Sequence, residues 1–224
     1  MKLAFQTAVA SVFGLVFFGL ALFLPAGTFN YWQAWVFIAV FTVATAVPNI
    51  YLAVRNPAAL QRRLRAGPTA ETRPIQKIAV SGTVLAVVVM LVVNALDHRF
   101  GWSEVPLAVI VAGNVLVAVG LVIAELVVIQ NSYASANITV EAEQKLVSTG
   151  LYGLVRHPMY AGALIMMVGT PLALDSYWGL IAIIPGLIVL ALRIADEETM
   201  LRQELAGYRD YIQKVHFRLV PYVW

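Results

Sequence analysis

The chain has 224 residues, of which 61% are hydrophobic and only 12% charged, with a mean hydropathy of +0.82. Soluble domains carry about a quarter of their residues as charges, so this composition excludes a soluble globular protein. The net charge of +3 is small and comes from loops beside apolar runs, which indicates membrane orientation and lipid contact and argues against nucleic-acid binding. The absence of cysteine excludes disulfides, thiolate metal sites and cysteine nucleophiles.

Long apolar runs predict helices that cross a membrane. Four of them reach the roughly 20 residues that a spanning helix needs. They cover about 3–24, 31–54, 76–96 and 106–129. Two shorter runs, about 158–174 and 177–194, predict a tight helical hairpin. The runs are continuous and do not alternate as strands do, so we predict an all-α polytopic membrane bundle of five to six helices.

The segment 55–77, between the second and third runs, is the most basic part of the chain. Its basic residues are Arg55, Arg62, Arg63, Arg65, Arg73 and Lys77. Asn56-Pro57 is typical of a helix start and Gly67-Pro68 of a helix stop, which predicts a short amphipathic helix on the membrane surface. The loop either orients the protein and contacts anionic lipid or forms a lid over a substrate entrance.

Counting six crossings places the basic loop, the polar stretch after residue 130 and both termini on one side, which the positive-inside rule identifies as the cytoplasm. We divide the chain into N-terminal spans, 1–130, and a functional region, 131–224. Glu125 lies near the cytoplasmic end of the fourth run. An acid inside a membrane indicates function by default, but pairing with an arginine of the basic loop is the interpretation we favour.

The tail is predicted to form a C-terminal amphipathic helix. Asp196-Glu197-Glu198 would open it, because acids suit a helix N-terminus. Leu201 and Leu205 give it an apolar stripe, and Gly207 would end it. Aromatic and basic residues then predict a contact with the membrane interface. They are Tyr208, Tyr211, His216, Phe217, Arg218, Tyr222 and Trp224.

The stretch 144–160 carries turn residues, an arginine, a histidine and two tyrosines between apolar runs. Pro158 predicts the start of a helix, which places Arg156 and His157 beside the unpaired N–H groups of its first turn. The chain has no GxGxxG, Walker, GxSxG or HExxH motif, so no soluble-type nucleotide fold or metal site is predicted. These residues indicate a membrane enzyme or transporter with a polar cytoplasmic site.

Several motifs together resemble the isoprenylcysteine carboxyl methyltransferase family and the wider membrane methyltransferase group that includes phospholipid N-methyltransferases. The motifs are Asn131-Ser132, Leu146-Val147-Ser148-Thr149-Gly150-Leu151-Tyr152, Arg156-His157-Pro158-Met159-Tyr160-Ala161-Gly162, Arg193 with Glu197-Glu198-x-x-Leu201, Gly207-Tyr208-x-x-Tyr211, and Pro221. The resemblance covers about residues 131–221. The family often has histidine where Gln144 or Lys145 stands, and proline where Leu151 stands.

The resemblance implies S-adenosylmethionine as methyl donor, with the following site residues. Leu146, Val147, Gly150 and Tyr152 would line the cofactor, His157 and Tyr160 would contact it, and Glu197 would bind its ammonium or ribose end. Arg193, Glu198 and Arg156 would act on the reacting groups. The acceptor would be a lipophilic or amphiphilic small molecule entering from the membrane lipids. An arginine would orient a carboxylate acceptor, whereas an amine or thiol would need His157 or Glu198 as a base.

The prediction is therefore an integral protein of a bacterial inner membrane whose cofactor site faces the cytoplasm. Other acceptors, a phospholipid amine or a small thiol, fit the same residues. An NADPH-dependent membrane reductase is a second possibility, although only Lys145 and Arg156 lie near the loop to bind a nicotinamide phosphate. A small transporter or a lipid-binding scaffold is the alternative that is not an enzyme.

Overall fold

The structure is a computed structural model that describes residues 2–64, 67, 69, 71, 73–134 and 144–224. Of the residues named above in the basic segment, Arg65 and Pro68 lie outside this part of the chain. Every regular element within it is helical, which confirms the all-α prediction. The helices are α1 (Lys2–Ala26), α2 (Trp32–Arg55), α3 (Pro57–Leu64), α4 (Pro74–Phe100), α5 (Leu107–Gln130), α6 (Leu151–Leu154), α7 (Pro158–Ala173), α8 (Trp178–Ile181), α9 (Ile183–Glu204) and α10 (Tyr208–Lys214).

Five helical segments are long and apolar enough to cross a membrane, and the chain is an integral membrane protein. They are Leu3–Ala26, Trp32–Arg55, Pro74–Phe100, Leu107–Gln130 and Trp178–Glu204. Helix α7 is apolar but has only 16 residues. The prediction of five to six spans is confirmed. We call the two ends of the bundle the turn end, where the short connections α1–α2, α4–α5 and α7–α8 lie, and the loop end, where the connections α2–α4 and α5–α7 lie.

Buried hydrogen bonds join the helices at the turn end. Asp97 has no exposed surface, and its carboxylate accepts from the Ser103 amide at 2.7 Å and from Ser176 Oγ at 2.6 Å. Asp175, between α7 and α8, accepts from the Val105 amide at 2.9 Å and from Gln33 Nε2 at 2.8 Å. These bonds satisfy the buried carboxylate of Asp97 and the half-buried carboxylate of Asp175, and α4 continues to Phe100, one turn beyond the predicted apolar run.

Helices α5 and α7 pack with their backbones in contact. A Cβ atom on Gly120 would lie 2.7 Å from the Met166 amide nitrogen, and one on Gly162 would lie 2.6 Å from the Gly120 carbonyl oxygen. Close approach of this kind requires glycine on both helices. The contact fixes the position of α7, and therefore of the segment that precedes it, against α5.

Helix α3 is docked on the loop end of the bundle. It begins at Pro57 as predicted, with Asn56 Oδ1 accepting from the Ala59 amide at 3.1 Å. Leu60 is buried in a small apolar cluster with Leu52, Val128 and Met159 around it. Arg63 forms an ion pair with Glu125, which confirms the interpretation that Glu125 pairs with an arginine of the basic loop.

The predicted start of a new helix at Asp196 is wrong. Helix α9 runs without interruption from Ile183 to Glu204, so the three acids lie inside it and not at its N-terminus. Arginines from other segments pair with Asp196 and Glu198, as described below. A separate short helix, α10, follows Gly207, whose φ of +79° is the left-handed conformation that glycine adopts without strain.

Candidate functional site

A cavity at the loop end lies between the segment that precedes α7, the first turn of α7, the end of α9 and helix α10. It holds about 780 Å³ of empty space, including the part that is open to solvent. Its walls combine apolar, aromatic and charged side chains. They are Asn131, Tyr133, Ala134, Gln144, Lys145, Leu146, Val147, Tyr152, Arg156, His157, Pro158, Met159, Tyr160, Glu197, Met200, Leu201, Leu205, Tyr208 and Tyr211.

Most of the predicted site residues meet at this cavity. Seven of the ten line it: Leu146, Val147, Tyr152, Arg156, His157, Tyr160 and Glu197. Among the described residues, Gly150, Arg193 and Glu198 lie outside its walls. Gly150 shapes the loop instead, since its φ is +57° and the Gln130 amide occupies the place where a side chain would stand.

His157 joins the two motifs. Pro158 begins α7 as predicted, so the buried imidazole of His157 stands at the mouth of this helix. Its Nδ1 atom lies 3.9 Å from Glu197 Oε2 and its Nε2 atom 3.4 Å from Glu198 Oε1. The ring also stacks on Tyr160 with 5.6 Å between centroids. Residues forty positions apart in the sequence therefore form one wall.

Tyr160 connects α7 to α9 through its hydroxyl. The hydroxyl donates to Glu197 Oε2 at 2.7 Å and accepts from Arg193 Nε at 2.9 Å. The phenol thus separates the carboxylate on the cavity wall from the guanidinium behind it. This arrangement orients both charged groups without direct pairing between them.

Two residues of the N-terminal half hold Arg193 from its other side. Glu71 Oε1 accepts from Nη2 at 3.0 Å, and Gln76 Oε1 accepts from Nη1 at 3.0 Å. Arg73 and Gln76 also bind Asp196, so the α3–α4 connection is attached to α9 at several points. The sequence interpretation missed Glu71 and Gln76 as site residues. The one available signal was that Glu71 is the single acid in the basic segment.

Glu198 gathers the basic residues of the site. It is 2% exposed, and it pairs with Arg156 Nη1 at 2.9 Å, with Arg218 Nε at 3.2 Å and with Arg202 Nη2 at 3.4 Å. Both carboxylate oxygens are therefore engaged. Glu198 therefore holds together the segments that carry Arg156, His157 and Arg218.

The end of the chain pairs with the segment that precedes α7. The Arg156 amide donates to the Phe217 carbonyl and the His157 amide to the Arg218 carbonyl, both at 2.9 Å. Arg156 Nη2 also donates to the His216 carbonyl at 2.9 Å. Two amides that a helix N-terminus would leave unpaired are thus satisfied by the tail.

Tyr208 and Tyr211 do not lie at the membrane interface, so that prediction is wrong for these two residues. Both are buried, and they pack on Leu146 and Leu205 as a wall of the cavity. Tyr211 Oη donates to the Tyr152 carbonyl at 2.7 Å. Burial, followed by the neighbouring Tyr152, raises the pKa of Tyr211, so its hydroxyl keeps the proton that this bond requires.

Two polar atoms on the cavity wall have no hydrogen-bond partner in the described part of the chain. They are Arg156 Nε and Tyr208 Oη, and both are buried. Buried polar groups are nearly always paired, and these two atoms belong to residues of the cavity wall although the atoms themselves have almost no accessible surface. An N–H and a hydroxyl fit an anionic or carbonyl oxygen.

The chain matches one family model and several known proteins, and the family model covers most of the residues that line this cavity. The family described as phospholipid methyltransferase matches residues 108–206. Probable protein-S-isoprenylcysteine O-methyltransferases from Oryza sativa subspecies indica and japonica are each 36% identical over 116 residues, which is 50% of this chain and 60% of theirs. A Delta(14)-sterol reductase from Mus musculus is 37% identical over 93 residues, 38% of this chain and 21% of its own.

The chain thus spans about three fifths of the length of the rice relatives that it matches. The matched residues contain Arg156, His157 and Glu197, which line the cavity, and Arg193, which lies behind Tyr160. Sequence motif and geometry agree on the same region. Over its second half the chain is similar to the membrane methyltransferases, a superfamily that includes phospholipid methyltransferases and isoprenylcysteine O-methyltransferases.

Proposed function

We propose that this protein transfers a methyl group from S-adenosylmethionine to a lipophilic acceptor at the cytoplasmic face of a membrane, as an isoprenylcysteine carboxyl O-methyltransferase would. The observation that carries the proposal is the meeting of His157 and Glu197 at one cavity, 3.9 Å apart, from the two motifs of the superfamily. A bacterial inner membrane would be the location.

The cavity fits the donor. Glu197, on the wall, suits the ammonium group or ribose hydroxyls, and Tyr160 orients it. Leu146 and Val147 offer apolar surface to an adenine ring. Arg156 and Tyr208, each with a buried polar atom that has no partner among the described residues, add hydrogen-bond donors to the same wall. Anionic, apolar and donor groups are therefore all present on the walls of one cavity.

Methyl transfer from this donor needs little acid or base catalysis from side chains. When bound, S-adenosylmethionine supplies a methyl group that is already activated as a sulfonium, so the protein's part is to position, orient and exclude water. Arg193 would orient an acceptor carboxylate through paired hydrogen bonds. His157 is the group left to take a proton from an amine or thiol acceptor, because both oxygens of Glu198 are engaged by arginines.

The charges at the loop end support a cytoplasmic site. Arg55, Arg62, Arg63, Arg73 and Lys77 all belong to the α2–α4 connection or its borders, and the cavity opens at the same end. Positive residues beside spanning helices favour the cytoplasmic side. The donor would then arrive from the cytoplasm and the acceptor from the bilayer.

A membrane reductase is the second candidate, because a sterol reductase is among the proteins that match this chain. Its nicotinamide cofactor carries several phosphates, which require unpaired basic side chains. Among the described residues of the wall the lysines and arginines are Lys145 and Arg156, and Arg156 is paired with Glu198 at 2.9 Å. One lysine is fewer basic groups than several phosphates require, and the Glu197 carboxylate suits the cationic methyl donor.

Calorimetry on the detergent-purified protein separates the candidates. We expect binding of S-adenosylmethionine and none of NADPH. Glu197→Gln should weaken the binding at least tenfold, since it removes a charge-assisted contact of about 1.5–3 kcal/mol. Glu204→Gln, an exposed acid at the end of the same helix, is the matched control and should bind like the wild type.

Three outcomes would contradict the proposal. Binding of NADPH alone would favour the reductase, and binding of neither ligand would favour a scaffold or transporter. Full affinity in Glu197→Gln would show that this carboxylate does not hold the donor. The acceptor itself can be found by incubating membranes with an isotopically labelled donor and identifying labelled lipids and small thiols by mass spectrometry.

A further inference from the structure

The connection between α3 and α4 turns its one acid inward. Residues 55–77 contain six lysines and arginines, and Glu71 is their single acidic neighbour. The Glu71 side chain has 0% exposed surface. A carboxylate that is removed from solvent requires a charged or hydrogen-bonding partner in the protein, so Glu71 must be paired inside the bundle.

One such partner is Arg193. Glu71 Oε1 accepts from Arg193 Nη2 at 3.0 Å, while Gln76 and Tyr160 bind the other nitrogens of the same guanidinium. Glu71 and Gln76 both lie before residue 108, outside the region that the phospholipid methyltransferase family matches. Two residues of the N-terminal half therefore bind and orient Arg193, a motif residue of the C-terminal half.

Arg193 occupies the acceptor side of the proposed site. It lies one turn before Glu197 on α9, further into the bundle, and the Tyr160 phenol separates it from the cavity. A lipophilic acceptor with its tail among the helices would meet this guanidinium as its polar end approaches the cavity. An acceptor carboxylate would then compete with Glu71 for the same N–H groups.

We infer that Glu71 is a specificity-determining residue for the methyl acceptor, acting through Arg193. The inference rests on the proposed function. Its carboxylate neutralises the guanidinium, so that an anionic acceptor must share or replace it, whereas a neutral acceptor is unaffected. Arginine stays protonated when its partner is removed, and a buried uncompensated charge binds an incoming anion more strongly.

The test compares two probes with the same tail, N-acetyl-S-prenylcysteine and its carboxamide, on the full chain in detergent. Glu71→Gln keeps the shape of the side chain and removes its charge. The affinity for the carboxylate probe should rise about tenfold, in keeping with measured couplings of close charge pairs. The affinity for the carboxamide probe should stay within about twofold of the wild-type value. The affinity for S-adenosylmethionine should stay within about twofold. Glu104→Gln, at the exposed turn end, removes an equal charge and should leave the affinity for both probes unchanged.

Equal affinities of wild type and Glu71→Gln for the carboxylate probe would overturn the inference, as would an equal change for both probes or no carboxylate binding by either protein. If Glu71→Gln does not fold, Glu71→Asp tests the same point, because its shorter side chain should loosen the pair with Arg193 and shift the ratio in the same direction. Failure of the wild type to bind S-adenosylmethionine would instead overturn the proposed function.

Discussion

The phenol of Tyr160 donates to Glu197 Oε2 across 2.7 Å, which joins the first turn of α7 to the last turns of α9. Tyr160→Phe removes this bond and the acceptor of the Arg193 Nε hydrogen bond but keeps the ring. A hydrogen bond to a charged group contributes about 1.5–3 kcal/mol, so we expect the dissociation constant for S-adenosylmethionine to rise about tenfold. Calorimetry measures it. Tyr177→Phe at the exposed turn end is the control, and an unchanged constant in Tyr160→Phe would exclude this role.

Glu198 should matter more for stability than its neighbours on α9. Glu198→Gln removes the counter-ion of the buried Arg156. It also breaks the ion pair that attaches Arg218, in the tail, to α9. Breaking a buried pair costs about 3–5 kcal/mol, but Arg202 and Arg218 are partly exposed, so about 2 kcal/mol is the expected loss. The thermal midpoint in detergent should fall accordingly, while Glu204→Gln should leave it unchanged. Equal midpoints would contradict the structural role.

The glycine contact between α5 and α7 predicts opposite effects of one substitution at two sites. Gly120→Ala places a methyl group against the Gly162 carbonyl and the Met166 amide, and should cost about 1–3 kcal/mol through overpacking. Gly19→Ala on α1 meets no atom within 4 Å and should stabilise its helix by about 0.5–1 kcal/mol. Thermal midpoints of the two variants decide the matter. A neutral Gly120→Ala would mean that the helices separate at little cost.

Asp175 predicts a pH dependence at the turn end. Burial raises the pKa of its carboxyl, so the folded protein binds the proton more tightly than the unfolded chain, and stability rises as the pH falls from neutral. Asp175→Asn should be at least as stable as the wild type at pH 7. Its stability should also lack the part of the pH dependence that Asp175 contributes. Asparagine tolerates the φ of +62° at this position, and Gln33 Oε1, which has no partner among described residues, can accept from the new amide.

Asp175→Ala is the contrasting variant, because it leaves the Val105 amide and Gln33 unpaired and should cost about 1–2 kcal/mol. Thermal midpoints at pH 5 and pH 7 for the three proteins test the sign. A wild type that becomes less stable relative to Asp175→Asn as the pH falls would show that the sign is wrong.

Local chemistry explains what the sequence could predict. The starts of α3 and α7 follow from Asn56-Pro57 and Pro158, because caps and proline act within one turn. The spans follow from the length of apolar runs. The meeting of His157 with Glu197 was predicted from a resemblance, since no local rule joins residues 157 and 197.

The failures share one physical cause. The continuity of α9 depends on Arg156 and Arg218, which neutralise Glu198 from distant segments. The Glu71–Arg193 pair joins residues 122 positions apart. Tyr208 is buried because Leu146 of the loop covers it. Each contact is set by how the helices pack, and a pattern read along the chain contains no information on that packing.

The pairing of residues 156–157 with residues 217–218 has a consequence for biogenesis. Ribosomes deliver the chain from its N-terminus, so α7 enters the membrane about sixty residues before its two amides can find the Phe217 and Arg218 carbonyls. A nascent chain arrested between residues 204 and 217 would have the five described spanning helices and an unfinished pocket. Ligand affinity would then report that the segment 217–218 has been made and has paired, which insertion alone does not.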